Sequence, residues 1–267
     1  MLERLQLSPE SHRTLMAACA DRGILFLSTP FDEGSVDLLD ALGVPAFKIG
    51  SGEITNVSLL KEVARRKKPV ILSTGMSTLQ EVKEALRLIR NEGNDRVVLL
   101  HCVSAYPAEP SEVNLRAMQT MTEAFHCPVG YSDHTQGIEV ALAAVACGAC
   151  VIEKHFTLDR TLPGPDHIAS LEPNELKALV RGIRTVESAL GHGRKEPTPG
   201  EAETAAVARK SLVAARTIQA GIRLTEEFIA VKRPGIGLPP GMMNQVIGRL
   251  ARRDILEGTP LTLEMLE

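Results

Sequence analysis

Two histidines stand where they could share a metal ion. His134 closes the run Gly130-Tyr131-Ser132-Asp133, and His155 closes Ile152-Glu153-Lys154. Each run begins apolar and ends polar, and an Ala- and Val-rich stretch of helical character, 137–148, lies between them. The pattern is strand, helix, strand, with one imidazole delivered at each strand exit. Neighbouring parallel strands sit about 4.8 Å apart, so two such imidazoles can reach one ion. A His pair with the remaining positions open is what a catalytic divalent cation needs. Taken singly, either His is as readily explained as a polar capping residue. The repeated placement, with Asp133 and Asp166 close by, points to a site.

The strand ends upstream carry a second kind of chemistry. Ser28 and Thr29, Ser51, and Ser73 with Thr74 put hydroxyls just ahead of successive helix starts. Such positions suit a phosphate or carboxylate, although Ser and Thr also serve simply as helix caps. Lys48 lies in a buried-strand context, where a long cation must be paired or must bind an anion. Glu53 could pair it, orient a substrate hydroxyl or cap the next helix. Arg233, between Lys232 and a Pro-Gly turn, is either surface charge or a guanidinium presented to a carboxylate.

The elements that must hold these residues follow one rhythm. A helix is expected over 8–21, with Ser8 as N-cap and Pro9 at the first position. Ile24-Leu25-Phe26-Leu27-Ser28 is a continuous apolar run, the pattern of a strand buried on both faces. Helices over 33–42, 57–66, 79–91, 115–124 and 137–146 then alternate with strands over 46–49, 69–72, 97–100, 128–130 and 150–152. A last helix, 173–190, is apolar at Leu176, Leu179, Val180, Ile183 and Val186. This alternation implies an α/β fold with a parallel sheet and right-handed crossovers. Its polar clusters fall at the C-terminal strand ends, where such folds bind ligands. No strand is followed by a GxGxxG fingerprint or a phosphate loop, so a (β/α) barrel is expected rather than a nucleotide fold. Six strand–helix units are countable where a closed TIM-type (β/α)8 barrel has eight. The expectation is a barrel lacking about two N-terminal units over 1–190 and a Pro- and Gly-rich linker over 191–208. A small β-domain follows over 209–267. Within it, the pattern of 218–225 recurs at 254–262, which suggests internal pseudo-symmetry.

The totals exclude several classes. A formal charge of −3 over 267 residues gives no nucleic-acid or membrane signal. No apolar run approaches the roughly 20 residues that span a bilayer, and the N-terminus lacks the apolar core of a signal peptide; a cytoplasmic protein is expected. The five cysteines, Cys147 and Cys150 included, read as buried thiols rather than zinc ligands or a redox pair. Trp is absent, which argues against base-stacking platforms.

With these residues assembled, the chain resembles the sialic acid synthase family, the phosphoenolpyruvate-dependent nonulosonate synthases. The matching motifs are KIGSGE at 48–53, STGM at 73–76, HC at 101–102 with YP at 106–107, SDHT at 132–135 and EKHFT at 153–157. GPDH at 164–167 and ASLEP at 169–173 continue the match. RKSLV at 209–213 and KRPG at 232–235 resemble the family's C-terminal domain, a β-clip (SAF) fold similar to type III antifreeze proteins. The resemblance implies condensation of phosphoenolpyruvate with an N-acylated mannosamine-type sugar, N-acetylneuraminate synthase-like, with a legionaminate or other nonulosonate product as the alternative. It implies that His134 and His155 hold Mn²⁺ or Mg²⁺. Thr29, Lys48, Ser51, Ser73, Ser132 and Ser104 would hold phosphoenolpyruvate. Glu53 (also a catalytic candidate), Tyr106 and Asp166 would face the sugar. Arg233 would arrive from a partner subunit in a domain-swapped homodimer. Two departures stand out: the family carries about two further strand–helix units in front, and Ser104 replaces a residue that is often Asn. An incomplete barrel would expose sheet edges, and a non-catalytic sugar- and phosphate-binding remnant is the reading from another class.

Overall fold

A computed structural model describes residues 6–267, which divide into one unit ending at His192 and a second, Gly193–Glu267. The first unit alternates helix and strand: α1 (Pro9–Asp21), α2 (Glu33–Leu42), β1 (Phe47–Ile49), α3 (Val57–Arg65), β2 (Val70–Ser73) and α4 (Leu79–Asn91). It continues with β3 (Val97–Cys102), α5 (Arg116–Phe125), β4 (Val129–Asp133), α6 (Glu139–Ala146), β5 (Ile152–Lys154) and α7 (Pro173–Leu190). Local chemistry starts these helices where the sequence indicates. The Ser8 hydroxyl accepts from the Ser11 amide ahead of Pro9, Asp32 does the same for Ser35, and Thr78 with Glu81 closes a capping box on α4.

The five strands form one parallel sheet in chain order, β1-β2-β3-β4-β5. Residues 24–28, expected as a further strand, do not join it: β1 is the edge of the sheet. A strand needs a hydrogen-bonded neighbour, and apolar character alone does not supply one. Ile24 and Leu25 are 59% and 78% exposed, and only Phe26 packs on the core.

Because successive side chains on a strand point to opposite faces, each strand sorts its residues by parity. Phe47, Ile49, Val70, Leu72, Val97, Leu99, Val129 and Tyr131 share one face and pack with the helices in a single buried core. The other face receives Lys48, Ile71, Ser73, Val98, Leu100, Cys102, Gly130, Ser132 and Glu153, the alternate residues of the same strands. Polar chemistry is thereby collected on one side and apolar packing on the other.

The second unit has its own core, built around Leu212, Ile218, Leu224, Ile255 and Leu261. The expected linker is partly helical, with α8 (Ala202–Ala208) leading into β6 (Ser211–Ala214), which pairs antiparallel with β7 (Ile229–Lys232). Its Ala-rich composition supports a helix once Thr198 and Glu201 close a capping box before it. The recurring segments pair with each other: Ile218 and Ile255 exchange both backbone hydrogen bonds at 2.8 Å. They form single bridges rather than the expected short strands, since each is too brief to build a ladder.

At Gly130 the sheet leaves no room for a side chain. A Cβ there would lie 2.5 Å from the Val151 carbonyl oxygen and 2.7 Å from Leu100 Cδ2. Gly130→Ala is therefore expected to cost about 1–3 kcal/mol of stability, read as a lower urea midpoint at unchanged slope.

Candidate active site

Lys48 is the deepest charge on the polar face, with 12% of its side chain exposed. Its ammonium donates to Ser73 Oγ at 2.7 Å and to the Ile49 carbonyl at 3.2 Å, and it faces Glu153 Oε2 at 3.4 Å. Glu153 also accepts from Ser132 Oγ at 2.6 Å. The counter-ion of Lys48 is thus Glu153 and not Glu53, one of the roles open to Glu53 from sequence. Glu53 instead accepts from Asn56 Nδ2 at 2.7 Å, and Asn56 caps α3. Sequence reasoning passed over Glu153, although a signal was present: it stands two residues before His155, in the same polar strand exit.

Beside this layer, three side chains converge on the backbone of Gly75. Ser51 Oγ accepts from the Gly75 amide at 2.9 Å. A Cβ built on Gly75 would lie 2.2 Å from Ser104 Oγ, 2.8 Å from Ser51 Oγ and 3.2 Å from Cys102 Sγ. Hydroxyls around a bare backbone, next to an ammonium, form a cradle suited to a small anion.

Cys102 links the cradle to the histidines, its sulfur lying 3.7 Å from His134 Nδ1. His134 Nδ1 is also 2.7 Å from the Val103 carbonyl. A carbonyl can only accept, so Nδ1 carries a hydrogen, and in the neutral ring Nε2 keeps the lone pair. Burial alone would lower the His134 pKa, but the Cys102 thiol and the Val103 carbonyl together hold it above its ordinary value. Burial would likewise raise the Cys102 thiol, and its hydrogen bond with His134 keeps it below the usual range. Burial and then the neighbouring His134 push His155 down. The two rings lie 5.2 Å apart, and Tyr106 stands against both, at 4.1 Å from His134 and 5.5 Å from His155. Asp166 Oδ2 is 4.0 Å from His155 Nδ1.

The residue types fit a divalent cation held by two imidazoles. The His134 tautomer leaves Nε2 free to ligate, and such a hydrogen bond on the other ring nitrogen is the usual support of a ligating His. Among the described residues no third His, Cys, Asp or Glu completes a cluster with them, so further positions would fall to water and substrate.

Of the residues predicted from sequence, Lys48, Ser51, Ser73, Ser104, Tyr106, Ser132, His134, His155 and Asp166 are brought together. Thr29 lines a cavity of about 680 Å³ with His12, Ser28 and Asp32. Arg233 belongs to the second unit, exposed, with Nε donating to the Ala208 carbonyl at 3.0 Å. Cys147 and Cys150, expected as buried thiols, are exposed free cysteines, because they flank the turn from α6 into β5 and not its packed interior.

The first unit is thus a curled parallel α/β half-barrel that carries a His pair beside a Lys–Glu–Ser layer. Residues 1–195 match the NeuB family, and residues 209–267 match the SAF domain. The chain is 47% identical over 271 residues to N,N'-diacetyllegionaminic acid synthase of Legionella pneumophila, covering 100% of this chain and 76% of that one. It is 39% identical to the Mus musculus N-acetylneuraminate-9-phosphate synthase over 94% of this chain and 69% of the other. A crystal structure of N-acetylneuraminic acid (sialic acid) synthetase from Leptospira borgpetersenii, in complex with citrate, superposes with a TM-score of 0.71 at 40% identity. It covers 74% of this chain and 70% of that one. The chain belongs to the NeuB family.

The cradle at Gly75 makes a direct test. Only side-chain ends crowd its missing Cβ, and these can rotate away into the cradle. Gly75→Ala is expected to keep the thermal midpoint within a few degrees while weakening inorganic phosphate binding about tenfold or more by calorimetry.

Proposed function

We propose that the chain is a nonulosonate synthase that joins phosphoenolpyruvate to the open-chain aldehyde of an N-acylated amino sugar. The observation that supports it most is the juxtaposition of an anion cradle and a His pair on one face of one sheet. The reaction forms a bond from C3 of phosphoenolpyruvate to the aldehyde carbon. Water adds at C2, the bond from C2 to the phosphate oxygen breaks, and phosphate leaves with a nine-carbon 2-keto acid as product.

In this reading Lys48, Ser51, Ser73, Ser104 and Ser132 hold the phosphate and carboxylate of phosphoenolpyruvate, with Thr29 closing from the side of α2. An arriving anion competes with Glu153 for the Lys48 ammonium, which lies close to both Ser73 and Glu153. Mn²⁺ or Mg²⁺ held by His134 and His155 supplies Lewis-acid polarisation of the aldehyde oxygen. Tyr106, Asp166 and Glu53 orient the sugar, and Arg233 reaches its N-acyl group from a second copy in a swapped homodimer. The sheet is read as an arc of an eight-stranded barrel, with 191–208 as the connection to the SAF domain, and the enzyme as cytoplasmic. Identity of 47% to a diacetyllegionaminic acid synthase, against 39% to an N-acetylneuraminate-9-phosphate synthase, favours a diacetamido sugar as acceptor.

The purified chain, given phosphoenolpyruvate, Mn²⁺ and either N-acetylmannosamine or a 6-deoxy-2,4-diacetamido sugar, is expected to yield the nine-carbon acid by mass, faster with the second. Chelation should stop turnover and added Mn²⁺ restore it. His134→Ala and His155→Ala should each lower it about a hundredfold or more, since the Lewis acid supplies several kcal/mol. Absence of a nine-carbon product with both sugars overturns the reading.

A further inference from the structure

Immediately before each histidine stands a charged residue that faces away from the site. Asp133 pairs in register with Lys154 across β4 and β5, and by parity both lie on the face of Tyr131 and Ile152, under the helices. Their side chains are 0% and 3% exposed. Lys154 Nζ donates to Asp133 Oδ2 at 2.8 Å and also to the Thr135 carbonyl. Asp133 Oδ1 accepts from Tyr131 Oη at 3.1 Å, from the Thr135 amide at 2.9 Å and from Thr135 Oγ1 at 2.8 Å.

This carboxylate is fully occupied, and its partners bracket His134 in the chain. The Lys154 ammonium is anchored to both sides of His134, at Asp133 and Thr135, while its own backbone leads directly into His155. Just past the pair, where the ladder ends, the two imidazoles stand 5.2 Å apart, with His134 against Cys102 of the polar face. The separation of the strand ends therefore depends on a charge pair that no substrate or cation on the site face can touch. A buried pair of this kind adds little net stability over an apolar replacement, which leaves geometry as its contribution.

We propose that the Asp133–Lys154 pair is a positioning device that fixes the spacing of His134 and His155 for cation binding. The proposal rests on the reading of those two residues as the metal site. The test is a Mn²⁺ titration of the full chain followed by electron paramagnetic resonance, each variant measured well below its own thermal midpoint. Asp133→Asn combined with Lys154→Gln keeps a neutral hydrogen-bonded pair and is expected to weaken Mn²⁺ binding about 10–100-fold, the usual effect of an outer-shell change. Lys154→Arg alone, which keeps the charge pair with Asp133, should retain much of the affinity that the double variant loses. Arg66→Met removes a different ion-pair network, with Asp37, Asp40 and Glu62. It should lower the thermal midpoint and leave Mn²⁺ affinity unchanged. If the double variant does not fold, Tyr131→Phe removes one hydrogen bond from Asp133 and should weaken binding about two- to tenfold. Wild-type affinity in the folded double variant, or in Tyr131→Phe, overturns the proposal. Mn²⁺ binding that His134→Ala does not diminish overturns instead the metal reading beneath it.

Discussion

The constraint on which the first unit depends is the two-residue period of a parallel strand. Neighbours in the chain cannot face the same way, so a strand that packs a core on one side must place its alternate residues on the other. Phe47 and Ile49 go to the core, and Lys48 between them cannot. The same rule sends Ser73, Cys102, Ser132 and Glu153 to one face. No separate device is needed to assemble the polar layer; register between the strands completes it, setting Cys102 beside Ser132 and Ser132 beside Glu153.

The two ion pairs of this sheet differ in their surroundings. Lys48 with Glu153 lies on the polar face, and Glu153 keeps 39% of its side chain exposed. Solvent reaches that pair, so its partners can exchange, as the proposed anion site requires. Asp133 with Lys154 lies on the packed face, closed to solvent. Breaking it would strand a charge without compensation, at about 3–5 kcal/mol. Charges of the same types, separated by one residue along β5, are exchangeable on one side and fixed on the other.

Much of this was legible in the sequence where local rules decide. The helix over 173–190 matches α7 from end to end, since its apolar spacing and Pro173 are self-contained signals. Ser8 is the cap of α1 for the same reason. What failed required partners. Residues 24–28 have the composition of a buried strand yet carry no ladder, and composition does not reveal a neighbour. Lys48 needed either a counter-ion or an anion, and Glu53 was the one partner weighed for it; Glu153, on the opposite edge strand, meets it only in the folded sheet. Among the site residues, those on or just beyond the strand ends came together, whereas Thr29 lines a cavity with His12, Ser28 and Asp32 and Arg233 belongs to the second unit.

The end of the β4–β5 ladder shows how the site can leave its ligand atoms free. Three successive rungs are tied in different ways: the Tyr131 amide to the Val151 carbonyl at 2.8 Å, Ser132 Oγ to Glu153 at 2.6 Å, and Lys154 to Asp133 at 2.8 Å. The ties alternate between backbone, polar face and packed face, so neither strand can slide or roll relative to the other. Just past the last rung stand His134 and His155, whose rings approach without a bond between them. Had the rings been needed to hold the strands together, their nitrogens would have been consumed in doing so. Because the preceding rungs carry that burden, the imidazoles are not needed to join the strands, which is what the proposed two-histidine cation site requires.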